Sequence, residues 1–432
     1  MRLGAGSVGT LFLAVALGWC AAQLPAIAQT KPPADKADRK AQAKAPAPRA
    51  SAATAKTSRP GKTTATPKPS VQGVPFATRD DAMRAADDIA ERRGLDPAWV
   101  RRVMAEARLQ PQVVRLMEPA PSGTPKNWRV YRSRFIDPVR IQAGVRFWNS
   151  HRATLARAEA EFGVPAEMIV GIIGVETLYG QHMGGFRVID ALATLAFNFP
   201  ERHPRAAERS AYFRGELEHF LMQHERSGTD PFATLGSYAG ATGLPQFMPS
   251  SRARFAVDFD GDGRIDLARS ASDAIGSVAS YFRAHGWQTG QPTHFAVRFD
   301  EARLDKDRLL APDILPTFSV ARFAELGALV DGEAEQHRGP LALVELQNGA
   351  DPPQYLAGTE NFYVITRYNW SSYYAMAVIE LGQAVKQALS ASQASTTASP
   401  TASPTASPTA SPTTSPTTSP TTSPAPNRQA AR

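Results

Sequence analysis

Cysteine is almost absent from this sequence, which has 432 residues and a single cysteine, Cys20. One cysteine excludes an internal disulfide framework and any cysteine-rich zinc or iron–sulfur site, so the fold must be stabilised by its core. Beyond residue 30 the chain also lacks a run of about 18 consecutive apolar residues, the length that a transmembrane helix needs. The body of the protein is therefore not expected to cross a membrane, and its length allows two or three domains.

Residues 1–28 have the composition of an export signal. Arg2 precedes an apolar run over 8–19, and Ala26, Ile27 and Ala28 form a small-x-small cleavage site. This pattern predicts a periplasmic protein of a bacterium. An outer-membrane lipoprotein acylated at Cys20 is the alternative, although a bulky Trp19 stands where such signals have a small residue.

Two further segments are too poor in apolar residues to form a core. Residues 29–73 are rich in Ala, Pro, Lys and Thr, and residues 391–432 repeat Ser-Pro-Thr tetrapeptides. Both are predicted to be disordered, and the second to be extended in the manner of polyproline.

The positive charge of the chain is concentrated in the first of these segments. Residues 29–70 contain ten basic and two acidic residues, whereas residues 71–427 contain 35 basic and 38 acidic residues. A nucleic-acid partner is not expected, because it would need basic residues clustered on the folded part. The basic arm suits the cell wall or anionic lipid headgroups, and a solvated spacer is the alternative.

The body has a helical first part and a region of short strands. Helical spacing predicts helices over 79–93, 97–107 and 139–162, within a helical domain at 74–161. Between 292 and 358 short apolar runs, such as 294–299 and 341–346, alternate with Gly and Pro. This pattern predicts a small β-containing subdomain.

Residues 163–180 are the most informative stretch. Pro165 starts a helix whose residues 168–175 include no polar side chain, so it is predicted to be buried nearly all round. Glu176 follows, on the same face as Ile172 and beside Tyr179. Desolvation where such a helix meets a cleft raises the pKa of a carboxyl, as a general acid requires at neutral pH. A helix-end Glu paired with an Arg is the alternative.

The second informative stretch, 236–251, is rich in glycine. Its glycines at spacings of four and three predict a loop that approaches a ligand closely, with Ser237 and Gln246 offering polar groups and Phe247 and Met248 an apolar wall. A phosphate loop is disfavoured, because no Gly-Lys-Ser/Thr ending follows.

The third stretch, 258–269, is similar to a calcium loop of the EF-hand kind. Acidic residues stand at loop positions 1, 3, 5 and 9, Gly263 is at position 6, and the carbonyl of Arg264 is at position 7. Position 12 is Arg269 rather than a bidentate Glu, and Asp273 is a candidate to replace it. Four acids within nine residues repel one another without a cation, although a charged turn is the alternative.

Residues 359–390 combine an aromatic segment with a last helix, predicted over 375–389. Six of the thirteen residues 362–374 are aromatic. Such rings beside amides and hydroxyls are typical of sugar-stacking surfaces, and a cluster at the edge of the core is the alternative.

Taken in order, these stretches resemble the membrane-bound lytic murein transglycosylase B family, over about 76–388. The resemblance is carried by Gly-Val-Glu-Thr-Leu-Tyr-Gly at 174–180, by 190–198, by Pro-Gln-Phe-Met-Pro-Ser-Ser at 245–251, by the Asp loop and by Thr-Arg-Tyr-Asn at 366–369. It implies a mainly α (α+β) fold: a lysozyme-like catalytic core at 162–291 with the helical domain, the small β-containing subdomain and 359–390 completing the cleft.

The resemblance also implies an activity and a site. Glu176 would be the only catalytic carboxyl, cleaving the β-1,4 bond between N-acetylmuramic acid and N-acetylglucosamine of peptidoglycan and leaving 1,6-anhydro ends, with no organic cofactor. The implied substrate contacts are Ser237, Gln246, Phe247, Met248, Tyr281, Tyr368, Asn369 and Tyr374. The implied ligands of a structural calcium ion are Asp258, Asp260, Asp262, the Arg264 carbonyl and Asp273.

Two rival functions stay open at this point. A hydrolytic muramidase would use the same cleft with water as nucleophile, and a non-catalytic wall-binding protein would use Glu176 only as a hydrogen-bond acceptor. The link at 200–209 is longer than the family's short Arg-containing link, so the substrate-facing Arg is not assigned. No protein partner is indicated.

Overall fold

The structure is a computed structural model that describes residues 73–119 and 125–397. The predicted export signal, almost all of the predicted basic arm and most of the predicted repeat tail lie outside the described residues. Within them the chain is mainly helical with small antiparallel sheets, which confirms the predicted fold class.

The helices that precede the apolar stretch are short, and are separated by capped turns. They are α1 (Asp80–Arg93), α2 (Pro97–Glu106), α3 (Pro111–Leu116), α4 (Trp128–Arg132), α5 (Pro138–Ser150) and α6 (Arg152–Phe162). Asp96 starts α2 by accepting the backbone N–H of Ala98. The helix predicted over 139–162 is two helices, because the backbone of His151 leaves the helical region.

Helix α7 (Ala166–Thr177) carries the apolar stretch, and it is buried over 168–175 as predicted. It crosses α15 (Ser372–Thr397) at glycines. A Cβ atom on Gly171 would lie 2.3 Å from the carbonyl oxygen of Val378, and one on Gly382 would lie 2.1 Å from that of Glu167. Only glycine permits this approach, so these positions fix how closely the two helices pack.

Two large hydrophobic clusters each combine helices from both sides of 161/162, and the boundary predicted there stays a prediction. Helices α5, α6, α7, α11 (Ala271–Ala284) and α15 share one cluster. Helices α1, α2 and α3 share the other with α8 (Val188–Phe197) and α9 (Ala206–Ser227). Helix α10 (Pro249–Phe255) packs on α9. The apolar faces, rather than the order along the chain, decide these partners.

The region between 292 and 358 contains strands, as its sequence predicts. Strands β3 (His294–Ala296), β7 (Asp351–Gly358) and β6 (Ala342–Asn348) form an antiparallel sheet in that order. Strands β4 (Arg298–Phe299) and β5 (Ala328–Leu329) pair separately, as do β1 (Phe186–Arg187) and β2 (Leu235–Gly236). Short helices α12 (Lys306–Leu310) and α13 (Val320–Glu325) complete this subdomain.

The aromatic segment forms α14 (Glu360–Thr366) and the start of α15. Helix α15 reaches Thr397, beyond the predicted end at 389, because no Gly or Pro interrupts residues 390–397. Across 73–119 and 125–397, no helix combines the length and the apolar character needed to span a bilayer.

Candidate active site

The site is built at the C-terminal end of α7, where Glu176 is the penultimate helical residue. Leu178, Tyr179 and Gly180 follow with φ angles of 50°, 56° and 87°. Left-handed backbone at consecutive non-glycine residues is strained. Thr177 supports the turn by accepting the backbone N–H of Gly180 at 3.0 Å. The helix therefore ends at Thr177, one residue after Glu176.

The carboxyl of Glu176 is half-buried and has one side-chain hydrogen bond. The hydroxyl of Tyr374 donates to its Oε1 at 2.5 Å. Burial raises the pKa of Glu176 from 4.5 to about 7, and the hydrogen bond from Tyr374 partly opposes this rise. The C-terminal end of a helix also disfavours negative charge. A carboxyl with a pKa in this range can exchange a proton near neutral pH.

Three tyrosines lie around this carboxyl. Tyr374 is fully buried, and burial together with the charge of Glu176 holds its pKa well above 10, so it stays a neutral donor. The ring of Tyr368 stacks on that of Tyr374 with centroids 6.4 Å apart. Burial and the charge of Glu176 also raise the pKa of Tyr131.

Sequence reasoning missed Tyr131. It lies on the five-residue α4, which is too short to show helical periodicity. The available signal was the spacing of Trp128 and Tyr131, two aromatic residues one helical turn apart in a polar stretch. Both rings pack against Tyr373, with centroids 5.8 and 5.7 Å from it.

The glycine-rich loop folds into a tight turn. Thr242 and Phe247 exchange two backbone hydrogen bonds of 2.9 and 3.0 Å. Between them Gln246 has a φ of 51°, and its Nε2 donates to the carbonyl oxygens of Met183 (3.2 Å) and Gly243 (3.0 Å). The amide of Gln246 therefore stabilises the loop.

The same turn accepts hydrogen bonds from two residues near Glu176, one on α7 and one in the aromatic segment. The hydroxyl of Thr177, next to Glu176, donates to the carbonyl oxygen of Leu244 at 2.9 Å. The hydroxyl of Tyr368 donates to the carbonyl oxygen of Pro245 at 2.6 Å. Loop position and carboxyl position are thus coupled.

A buried carboxylate anchors the far end of the loop. Glu216 on α9 accepts the hydroxyl of Ser250 at 2.6 Å and its backbone N–H at 2.8 Å. Two turns later on α9, Gln223 donates to the carbonyl oxygen of Pro249 at 2.6 Å. Sequence reasoning missed Glu216, because nothing local distinguishes it from the other acids of α9.

Six of the eight predicted substrate contacts are buried, and three of these, Ser237, Phe247 and Met248, pack within the loop and the core. The hydroxyl of Ser237 accepts the backbone N–H groups of Ala239 and Ala241 at 3.3 and 3.0 Å. Phe247 and Met248 are 2% and 4% exposed and belong to different hydrophobic clusters. Saccharide contact by these three stays a prediction, and in the structure each of them packs internally.

Tyr281 and Asn369 lie on either side of Tyr368. Tyr281 is buried, donates to the carbonyl oxygen of Arg367 at 2.6 Å, and packs its ring 4.8 Å from that of Tyr368. Asn369 is half-buried and lines a cavity of about 450 Å³, which also contacts Tyr131. The rings of Tyr281, Tyr368 and Tyr374 thus pack in series, and Tyr374 is the one of the predicted contacts that the described hydrogen bonds join to Glu176.

Three further carboxylates are buried within the described residues: Asp190, Glu216 and Asp273. Each accepts a backbone N–H, from Arg108 for Asp190 (2.9 Å) and from Phe259 for Asp273 (2.8 Å). No neighbouring carboxylate contributes to the raised pKa of Glu176. In 73–119 and 125–397, no second buried carboxyl is therefore placed to act as nucleophile beside it.

The arginines of the long link contact residues near them in the sequence. Arg209 is buried, with its guanidinium 5.5 Å from the ring centroid of Phe213. Arg205 forms an ion pair with Glu208, and Arg202 is exposed. Substrate contact by one of them is not assigned.

The Asp loop brings together three exposed carboxylates. Oxygens of Asp258, Asp260 and Asp262 lie within 4.8 Å of one another. Asp258 also accepts the backbone N–H groups of Gly261 and Gly263, each at 2.8 Å, which curls the loop around it. Carboxylate oxygens in such a loop are the donors that Ca²⁺ prefers.

Asp273 is arranged differently from the predicted ligand. It is 1% exposed, and its two oxygens accept the backbone N–H groups of Phe259 (2.8 Å) and Asp266 (2.7 Å). These bonds close the loop onto the start of α11, and Asp273 does not join the group of three. A ligand role for Asp273 and for the Arg264 carbonyl stays a prediction.

Comparison with known proteins identifies relatives over most of the chain. Residues 78–383 match the family described as the transglycosylase SLT domain. Membrane-bound lytic murein transglycosylase B of Escherichia coli K12 is 42% identical over 325 residues, which cover 73% of this chain and 85% of that protein.

Solved structures give the same result. The E. coli lytic transglycosylase SLT35 in complex with bulgecin A has a TM-score of 0.63 at 42% identity, covering 74% of this chain and 96% of that one. SLT35 has also been solved in complex with calcium (TM-score 0.62, 41% identity, the same coverage). SltB3 of Pseudomonas aeruginosa in complex with NAG-anhNAM-pentapeptide has a TM-score of 0.59 at 30% identity, covering 73% and 80%.

The raised pKa of Glu176 predicts a pH-dependent stability difference from Glu176→Gln. A carboxyl whose pKa rises on folding stabilises the fold fully below its unfolded value of 4.5, and this contribution is lost as pH passes through about 7. Glutamine does not titrate. The variant should match the parent at pH 4 and be more stable at pH 8 by up to about 3 kcal/mol. Denaturant unfolding of the parent and the variant between pH 4 and pH 8 measures the difference in their free energies of unfolding. A difference that does not change with pH would contradict the raised pKa.

Proposed function

The chain belongs to the transglycosylase SLT domain family, and on that premise we propose that Glu176 is the single acid–base residue of a lytic transglycosylase. The protein is an enzyme that acts on peptidoglycan. It cleaves the β-1,4 bond between N-acetylmuramic acid and N-acetylglucosamine without water. The observation that carries the role of Glu176 is its half-buried carboxyl, with a pKa of about 7 and no second buried carboxylate beside it among the described residues.

The reaction needs one carboxyl in two states. In its acid form Glu176 protonates the glycosidic oxygen as the bond from that oxygen to C1 of the muramoyl residue breaks. The resulting carboxylate accepts the proton of the muramoyl 6-hydroxyl as O6 attacks C1. A 1,6-anhydro ring closes, and Glu176 is again protonated for the next cycle.

Tyr374 stabilises the carboxylate form of Glu176. Its hydroxyl donates to Oε1 of Glu176 at 2.5 Å, and a donor of this kind stabilises the carboxylate more than the acid. Around the two groups, Tyr368, Asn369, Gln246 and Tyr281 contact or support the saccharide, and the ring of Tyr131 extends the cleft.

A hydrolytic muramidase is the less favoured reading. A glycosidase of the usual kind positions a second carboxylate, either as nucleophile or to activate water. The buried candidates Asp190, Glu216 and Asp273 are each engaged by backbone N–H groups. The relative SltB3 was solved with an anhydro sugar peptide, which supports the non-hydrolytic product for this chain.

The protein belongs to the cell envelope, since its 42% identical relative is described as membrane-bound. A periplasmic location, with either plain signal cleavage or acylation at Cys20, is part of the proposal. Glycan strands are the substrate, and the basic arm contacts the wall or anionic lipid headgroups. Cys20 and all of the arm except Gly73 lie outside the described residues.

Calcium at the Asp loop completes the proposal. Asp258, Asp260 and Asp262 would hold the ion, whose charge relieves the repulsion among three carboxylates within 4.8 Å. Because Asp273 ties the same loop to α11, the ion would stabilise the fold rather than take part in the chemistry. The calcium complex of SLT35 supports this assignment.

Glu176→Gln tests the catalytic assignment through the products. Mass spectrometry of muropeptides released by the parent should show anhydromuramoyl ends, lighter by one water than reducing ends. The variant should lose at least about 10³-fold in activity, because the amide cannot donate the proton. Reducing ends from the parent would instead indicate a hydrolase, and an active variant would remove Glu176 from the mechanism.

Tyr374→Phe tests the support of the carboxyl through the pH profile. Activity of the parent should fall as Glu176 loses its proton above about pH 7. Without the Tyr374 hydroxyl the carboxylate is less stabilised, so this limb should move to higher pH while kcat falls. Tyr373→Phe is the matched control, since its hydroxyl donates to the Gln347 carbonyl oxygen at 2.9 Å. An unshifted limb would contradict the proposed support.

Calcium binding is tested by thermal melts with and without chelator. Saturating Ca²⁺ should stabilise the parent by about 1–3 kcal/mol. Asp260→Asn should lose most of this gain, whereas the exposed Asp307→Asn should keep it. Identical melting curves of the parent in calcium and in chelator would remove the site.

A further inference from the structure

We propose that Arg140 is a positioning residue of the reaction: its guanidinium holds the last turn of α7, so that Glu176 stays within hydrogen-bond distance of Tyr374. This inference rests on the proposed function, because it concerns the same carboxyl. The hydrogen bond of Arg140 goes to the backbone of Gly174, two residues before Glu176, rather than to the carboxyl itself.

The last turn of α7 gains from a partner outside the helix. Carbonyl groups at the C-terminal end of a helix lack the N–H groups of a following turn, and here Leu178 and Tyr179 leave the helix with left-handed backbone. The carbonyl oxygen of Gly174 accepts the backbone N–H of Leu178 at 3.1 Å, and Nη1 of Arg140 donates to the same oxygen. A cation at this end of a helix also complements the partial negative charge of its carbonyl groups.

Arg140 is itself held firmly on α5. Its backbone N–H donates to Oδ1 of Asp137 at 3.0 Å, and its Nε lies 3.7 Å from Oδ2 of the same residue. Its side chain is 12% exposed, and its guanidinium lies 5.3 Å from the ring centroid of Phe135. A planar group with partners on two sides has few orientations open to it, so it relates the position of α7 to that of α5.

The burial of this cation is compensated by the backbone of α7. Loss of water lowers the pKa of Arg140, and the charge of Asp137 opposes this change. A buried charge is tolerated where hydrogen-bond acceptors replace the water that it has lost. The carbonyl oxygen of Gly174 is such an acceptor, so the guanidinium and the end of α7 fix each other.

The turn after Glu176 is packed against the same two helices. A Cβ atom on Gly144 of α5 or on Gly174 of α7 would overlap the hydroxyl oxygen of Tyr179. Burial raises the pKa of this hydroxyl, and the nearby charge of Arg140 counteracts the rise. Arg140 and Tyr179 therefore restrain the chain on both sides of Glu176.

This restraint sets the distance between the carboxyl and the hydroxyl of Tyr374. Glu176 follows the restrained carbonyl of Gly174 by two residues, and its Oε1 accepts the Tyr374 hydroxyl from α15 at 2.5 Å. A hydrogen bond weakens steeply when its donor and acceptor move out of line. Without Arg140 the last turn of α7 is held by fewer bonds, so Glu176 should lie against Tyr374 for less of the time.

The alkaline limb of the pH profile reports this hydrogen bond. Burial raises the pKa of Glu176, and the hydrogen bond from Tyr374 lowers it. Tyr131 also faces the carboxyl, but burial raises its pKa and keeps it neutral in this range. A weaker bond from Tyr374 should therefore raise the pKa of Glu176 further. A smaller folded fraction would lower activity without moving the limb.

The test measures kcat, KM and the pH profile of Arg140→Met on purified peptidoglycan. Methionine keeps an unbranched side chain and removes the donors and the charge. We expect kcat to fall about tenfold, KM to change by less than about twofold, and the alkaline limb to move to higher pH. Arg146→Met, which changes an exposed arginine of the same helix, should match the parent.

Arg140→Lys is the milder variant, and it carries the test if Arg140→Met does not fold. Its ammonium is a point donor without the planar fork that serves Gly174 and Asp137 together. We expect a smaller fall in kcat and a smaller shift of the limb in the same direction. A folded Arg140→Met, or in its place a folded Arg140→Lys, with the kcat and the limb of the parent would overturn the inference.

The double variant of Arg140→Met and Tyr374→Phe separates positioning from a general effect on the fold. Both substitutions act on one hydrogen bond. Once the Tyr374 hydroxyl is absent, removing Arg140 should therefore cost less kcat and move the limb no further. Losses that multiply would show that Arg140 acts elsewhere, and would overturn the inference. A parent that releases no anhydromuramoyl ends would refute the proposed function instead.

Discussion

The rest of the site depends on one constraint, the partial burial of the Glu176 carboxyl at the end of an apolar helix. Water is kept from one side of it by α7 and from another by Tyr374, and this desolvation raises its pKa to about 7. A carboxyl with this pKa can give up a proton and take one back near neutral pH, which makes one residue sufficient for both steps. The same desolvation disfavours the ionised carboxyl. The fold is therefore less stable when Glu176 is a carboxylate, which is the form that accepts a proton in the second step of the proposed reaction.

The hydrogen bond between Tyr374 and this carboxyl depends on helix packing one to two turns away from it. Glu176 lies on α7 and Tyr374 on α15, and the helices cross where Gly171 meets the backbone of Val378. Val378 is about one turn beyond Tyr374. A side chain at Gly171 would separate the helices and lengthen the hydrogen bond between hydroxyl and carboxyl. Glycine in the middle of a helix is ordinarily unfavourable, but the close approach of the two backbones requires it at this position.

Residue patterns carried much of the fold and part of the site. The burial of α7, the strands of the small subdomain and the mainly helical class follow from local hydrophobicity and turn residues. The packing of α1 with α8 in one hydrophobic cluster does not follow from local sequence, because the two apolar faces are far apart along the chain and meet only in the folded structure. Tyr131 and Glu216 were missed for a related reason: one is on a very short helix, and the other is defined by its distant partner Ser250.

Ser237 and Asp273 illustrate the opposite difficulty. Sequence patterns identify a polar residue in a functional loop but cannot tell whether its oxygen faces the ligand or the loop's own backbone. In the structure both accept backbone N–H groups, the hydroxyl from Ala241 and the carboxylate from Phe259. Tight loops of this kind leave N–H groups without helical or sheet partners, and nearby side-chain oxygens satisfy them.

The single-carboxyl chemistry also limits where selectivity can arise. In the proposed mechanism the nucleophile is the substrate's own 6-hydroxyl and the acid–base group is Glu176, so every strand with a muramoyl residue meets the same catalytic groups. Discrimination between strands must then come from surfaces that the reacting atoms do not touch. An enzyme built on one acid–base residue can therefore vary its substrate range by changing the residues around the cleft while α7 and its carboxyl stay as they are.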